Sequence, residues 1–189
     1  MPALPRVSTP VALAVWVAAA ALSYLVVCQP FDPAPPPAAC GLVPGGLLVQ
    51  LVPDPDTEAV PGEDQSRLTG CVWNSGTDGA PNDGNLRISV ERFGPSSFRT
   101  PSTEAQDAFG GRKRFHSQGT DRVVDVTGLG RYAYAVLPDR RDDPDDVEVQ
   151  VLAVQDGDMV EVTYHVKPST EPLALAAAVT AARTVLAQL

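Results

Sequence analysis

The sequence predicts an α+β domain: a mainly antiparallel sheet of about five strands with helices packed on one face, preceded by a transmembrane or signal helix. Three observations predict it. Five short stretches read as strands, and three of them, at 86–93, 147–154 and 159–167, alternate apolar and polar residues with the two-residue period of a half-buried strand. The strand links that can be read carry hairpin turn chemistry, which favours antiparallel pairing. The chain closes on an Ala-rich segment whose apolar residues recur with helical spacing.

The amino-terminal helix is read from Val11 to Val27 (VALAVWVAAAALSYLVV), 17 residues without a charge. At about 1.5 Å per residue this run and its flanks just reach across a hydrocarbon core of about 30 Å. Before it stand only the α-amino group and Arg6, and the first acid after it is Asp32. The positive-inside rule then leaves the amino terminus in the cytoplasm and the rest outside. Residues 1–28 read as a signal anchor, as a cleaved signal peptide, or as a lipoprotein leader lipidated on Cys28. Against lipidation, Val27 stands where a small residue normally precedes the cysteine. Residues 29–39 (QPFDPAPPPAA) hold five prolines and read as a stiff polyproline II tether. Residues 40–189 then form the extracytoplasmic α+β domain.

Within that domain, Gly41 to Val52 reads as a short first helix stopped by Pro53. Residues 53–67 read as a polar, acidic loop. Leu68 to Asn74 and Leu86 to Phe93 read as two strands of a hairpin, joined by a stretch rich in Gly, Asp, Asn and Pro. A second helix begins near Pro101, with Thr100 as cap and Glu104 at the positive end of the helix dipole. Three further strands are read at Tyr132–Leu137, Val147–Val154 and Met159–Lys167. Asp156-Gly157 between the last two suits a type I′ turn. The final helix runs from Glu171 to about Ala187, capped by Thr170, with Leu175, Val179, Ala182, Leu186 and Leu189 on one stripe.

The net charge is −9, and Arg6 of the leader and Asp32 of the tether cancel, so the whole of it lies in the domain. Such a surface repels phosphate backbones and anionic lipid headgroups, so nucleic acid is excluded as a partner. Three cysteines are present: Cys28 at the membrane boundary, and Cys40 and Cys71 in the exported part. An oxidising compartment favours a Cys40–Cys71 disulfide, closing a loop whose entropy contributes about 3 kcal/mol.

No nucleophile elbow, phosphate loop, HExxH or dinucleotide fingerprint is present, and no cofactor is expected. Gly128-Leu129-Gly130 is read as a turn feeding the strand at Tyr132. His165, beside Glu161 and Thr163 on the polar face of the last strand, is the local pattern of a general base with an orienting acid, and also that of any exposed strand. The basic cluster Arg112-Lys113-Arg114 reads as cations complementing a helix end, with anion binding as the alternative. Asp139, Asp142, Asp143, Asp145 and Asp146 are oxygen-rich, but lack the spacing, central glycine and closing glutamate of a calcium loop. No catalytic or metal-binding residue is assigned.

Cys40-Gly41-Leu42-Val43, Cys71-Val72-Trp73 and Val126-Thr127-Gly128-Leu129-Gly130-Arg131-Tyr132-Ala133, following a leader and a Pro-rich tether and preceding a hairpin and an Ala-rich helix, carry a resemblance. Over residues 39–189 the chain resembles the actinobacterial envelope proteins grouped as domain of unknown function 3558, many of them lipoproteins. The resemblance implies an extracytoplasmic α+β domain with a cysteine pair; it supplies no activity. The expected function is a membrane-tethered binding or interaction module of the cell envelope. Its partner would be an envelope protein or a small apolar ligand. The alternatives are a hydrolase using His165 and Glu161, and a calcium-stabilised structural protein.

Overall fold

Two of the strands lie where sequence patterning shows none. The computed structural model describes residues 33–61, 66–75, 83–96, 98–137 and 145–189. The segment read as a leader, with Cys28, and the first four residues of the tether therefore lie outside the described residues. Among the described residues no helix is long and apolar enough to cross a membrane.

The strands are β1 (Pro55–Pro61), β2 (Leu68–Ser75), β3 (Asp83–Arg92), β4 (Arg122–Asp125), β5 (Tyr132–Leu137), β6 (Val147–Gln155) and β7 (Asp158–Lys167). They form one antiparallel sheet in the order β1-β2-β3-β7-β6-β5-β4. The helices are α1 (Gly45–Leu51), α2 (Pro101–His116) and α3 (Glu171–Leu186), with a 3₁₀ turn at Ala39–Gly41. The architecture is α+β and antiparallel, as expected, with seven strands in place of about five. β1 comes from the segment read as an acidic loop. Its pairing with β2, Thr57 opposite Trp73 and Ala59 opposite Cys71, overrides the poor strand propensity of Pro, Asp and Glu. β4 is only four residues long.

The helices occupy both faces of the sheet, which corrects the expectation of one. The 3₁₀ turn, α1 and α3 cover the face carrying Cys71, Trp73, Leu86, Ile88, Val160 and Val162. α2 covers part of the opposite face, packing Ala105 and Phe109 on Tyr134, Val136, Leu152, Val154 and Met159. The reason lies in β5 and β6: Ala133–Leu137 and Val151–Val154 are buried at every position, so both faces there need cover.

Local chemistry explains the element ends. The Thr100 hydroxyl accepts from the Thr103 amide at 3.3 Å at the start of α2, and Pro101 occupies its first turn. Thr170 sits at the N-cap of α3 with extended backbone, but its side chain makes no cap bond. The β6–β7 turn has positive φ at both Asp156 and Gly157, as a type I′ turn requires. The single helix expected over Gly41–Val52 is instead the 3₁₀ turn and α1, broken at Pro44, which is extended at the α1 N-cap. Cys40 and Cys71 are joined by a disulfide, which ties the 3₁₀ turn to β2.

The chain enters the domain along the face covered by α3. Pro36 is buried, the Pro37 carbonyl accepts from Thr69 Oγ1 at 2.9 Å, and the Pro35 carbonyl accepts from Arg92 Nη1 at 3.3 Å. Thr69 is the second residue of β2 and Arg92 ends β3, opposite Asp158 at the start of β7. The final prolines of the tether are thus laid on the sheet at one of its ends.

Candidate functional site

At that same end of the sheet, the link between β4 and β5 turns over the carboxyl half of α2 and leaves a recess. Its volume is about 510 Å³, and its walls are Phe109 and Lys113 of α2, Asp125 of β4, the turn Val126–Arg131, and Tyr132 and Ala133 of β5. That volume lies in the range of small-ligand clefts, roughly 300–1,000 Å³.

The turn takes this shape because of two glycines. Gly128 and Gly130 both have positive φ. A Cβ on Gly130 would stand 2.7 Å from the Val154 carbonyl oxygen, so the turn is pressed against the end of β6. Arg131 N–H donates to that same carbonyl at 2.8 Å. Leu129, between the glycines, is buried and anchors the turn in the main core. The reading of Gly128-Leu129-Gly130 as a turn feeding β5 is correct.

The floor is aromatic. The Phe109 ring lies 6.2 Å from Tyr132 and 5.0 Å from Tyr134, the latter edge-on at 60°. The rim is charged: Lys113 pairs with Asp125, and the Arg131 guanidinium stands 5.6 Å from the Tyr132 ring. The recess therefore offers an apolar floor with cations and a carboxylate at its mouth.

Behind the floor, Tyr134 is fully buried and its hydroxyl has no hydrogen-bond partner among the described residues. Burial pushes its phenol well above the usual range; Glu161 adds to the rise and Arg112 offsets part of it. Tyr164, whose phenol is also raised by burial, donates to the Leu51 carbonyl at 2.9 Å.

The basic cluster is divided between structural partners. Arg112 reaches down from α2 and bonds Glu91 and Glu161, each at 2.7 Å, while Lys113 takes Asp125. These three contacts strap α2 to the sheet. The side chains do complement a helix end in position, but their work is cross-linking α2 to β3, β7 and β4.

His165 and Glu161 are not brought together. They are four residues apart on β7, about 13 Å along an extended strand. Glu161 is occupied by Arg112 and by Gln150 Nε2 at 2.7 Å. His165 Nε2 instead lies 2.7 Å from Asp146 Oδ1, with Lys167 Nζ 4.0 Å from the other oxygen of that carboxylate. Register sets His165 in a polar row with Asp56, Asn74, Asn85 and Glu148, running across β1, β2, β3, β7 and β6. Of the acidic run, Asp139, Asp142 and Asp143 lie outside the described residues. No group of metal-ligating side chains forms among the described ones.

Comparison with known proteins adds no further constraint: no protein-family model, curated protein or solved structure was found to match the chain. The site thus stands on its own residues. Sequence reasoning missed the recess, because Phe109 and Lys113 belong to a helix read only for its ends. The signal that pointed nearest to it was the paired glycine of Gly128-Leu129-Gly130.

Proposed function

We propose that this chain is a membrane-tethered extracytoplasmic binding module of the cell envelope, and that the recess between α2 and the β4–β5 turn holds a small, largely apolar ligand. The observation that carries the binding part is the recess itself: about 510 Å³ lined by Phe109 and Tyr132 and bordered by a glycine-shaped turn. Aromatic floors bury much apolar area with little loss of side-chain freedom. Arg131 and the Lys113–Asp125 pair at the mouth would orient a polar end of the ligand. The tether and compartment rest on the uncharged run Val11–Val27, the prolines after it, and a disulfide of the kind that persists in oxidising compartments. The likeness to domain of unknown function 3558 is part of the same proposal. For the hydrolase alternative no observation speaks, since Glu161 and His165 have separate partners.

Native mass spectrometry of the full chain, gently extracted from its own membrane, tests the proposal. The expected result is a discrete added mass that disappears in a Tyr132→Ala variant. The bare chain mass in the wild type would overturn the ligand reading.

A further inference from the structure

We infer that the turn carrying Phe98 is the point at which this domain touches the lipid surface. The inference rests on the reading of Val11–Val27 as an uncleaved membrane anchor and adds to it an orientation and a contact residue.

The chain path fixes which end of the sheet lies near the bilayer. Pro35 is held by Arg92 and Pro37 by Thr69, with Pro36 buried between them, so from Pro35 onward the chain belongs to the domain. Eight residue steps separate Val27, the last residue of the apolar run, from Pro35. Fully extended, they span at most about 29 Å. The end of the sheet at Arg92 therefore cannot drift far from the membrane. The opposite end, where β7 finishes at Lys167, lies a full ten-residue strand further away, about 33 Å.

Phe98 stands at the near end. The Phe93 amide donates to the Gly157 carbonyl at 2.9 Å, directly after Arg92. The chain then turns back through a backbone pair between Ser96 and Arg99 and starts α2 with Pro101 against Gly157. Phe98 lies within that turn and is 99 % exposed, more than any other large hydrophobic side chain among the described residues. A single exposed apolar residue is ordinary on a protein surface. This one lies within a tight turn at the end tied to the anchor, six residues from the arginine that holds the tether.

The chemistry selects an apolar contact. The domain is acidic, so it gains nothing from anionic headgroups. Arg99 beside Phe98 is already paired with Asp107. An aromatic ring entering the headgroup boundary needs neither charge, and the anchor supplies the proximity. The contact would restrict rotation of the domain about its tether and hold the near end, with the mouth of the Phe109–Tyr132 recess, toward lipid.

The test uses full-length protein with Trp16→Phe, reconstituted in phosphatidylcholine vesicles with and without brominated phosphatidylcholine. Trp73 is buried and serves as a constant background. Phe98→Trp and, as control, Leu173→Trp are added singly; Leu173 is 67 % exposed at the far end, in the first turn of α3. Brominated lipid is expected to quench the added emission of Phe98→Trp at least two-fold and to leave that of Leu173→Trp unchanged. Flotation of the vesicles reads the anchor separately. A chain that floats but shows equal, unquenched emission in both variants overturns the Phe98 contact alone. A chain that does not float with the vesicles overturns the anchor reading and the contact with it.

Discussion

Arg92 grips Asp158 with two nitrogens, Nε at 2.7 Å and Nη2 at 2.9 Å, while its Nη1 holds the carbonyl of Pro35. One side chain thus joins the end of β3, the start of β7 and the entering chain. The carboxylate raises the affinity of the guanidinium for its proton, against the cost of burial.

Arg92→Met keeps most of the apolar stem and removes all three bonds. It leaves a largely buried Asp158 without its cation, so a loss of about 2–3 kcal/mol is expected in urea unfolding. Limited proteolysis near Pro35 should also be faster than in the wild type. Unchanged stability and cleavage would show that the grip is ornamental.

Tyr134→Phe is expected to be neutral or to stabilise by up to about 1 kcal/mol, because it removes a buried hydroxyl that has no partner among the described residues. Most buried polar deletions destabilise, so the sign is the test. Calorimetry of the two proteins at neutral pH reads it.

The same residue governs alkaline stability. Its phenol, like that of Tyr164, is held above the usual value of about 10 in the folded chain. Above about pH 10 the unfolded chain therefore releases protons that the folded chain keeps, and stability falls as pH rises. Below that pH the contribution is fully present. Unfolding midpoints between pH 9 and pH 11, both of order the phenol range, should decline in the wild type and decline less in Tyr134→Phe. Absorbance titration of the folded protein should show the two buried tyrosines ionising last.

Replacing both Cys40 and Cys71 by Ser should cost about 3–4 kcal/mol, the loop-closure entropy of a cross-link spanning 31 residues. Denaturant midpoints of the variant and of reduced wild type should agree. A much smaller loss would mean that the unfolded chain already holds the 3₁₀ turn near β2.

The glycines of the recess differ in what they tolerate. Gly130→Ala sets a Cβ 2.7 Å from the Val154 carbonyl at positive φ, so a loss of about 2 kcal/mol or more is expected. Gly128→Ala meets open space and carries only the backbone cost, about 1 kcal/mol. Thermal unfolding of the two variants checks the order.

Much of this fold is legible from residues alone. α2 is visible from Thr100 and Pro101, α3 from its apolar stripe, and the β6–β7 turn from Asp156-Gly157, because each signal is local. β1 is hidden because Pro55, Asp56 and Glu58 disfavour a strand, and only pairing with β2 makes them one. The second covered face is visible in hindsight at Val151-Leu152-Ala153-Val154, where alternation gives way to a continuous apolar run. The recess is hidden for a different reason. Phe109 and Tyr132 are 23 positions apart, and no periodicity relates a helix to the turn that folds over it. His165 and Asp146 likewise meet only through the pairing of β6 with β7, so the carboxylate nearest in sequence is the wrong one.

The two outer strands have a consequence for how copies of this protein meet. β1 lies at one border of the sheet with proline at both of its ends, and β4 at the other is only four residues long. A proline has no amide hydrogen to offer a neighbouring molecule, and Asp56 and Glu58 would bring like charges together where β1 met β1 of a second copy. Among the described residues β1 keeps amide donors only between its two prolines, and β4 is too short to offer a long run. Among the described residues the sheet thus ends on borders that discourage extension from one molecule into the next.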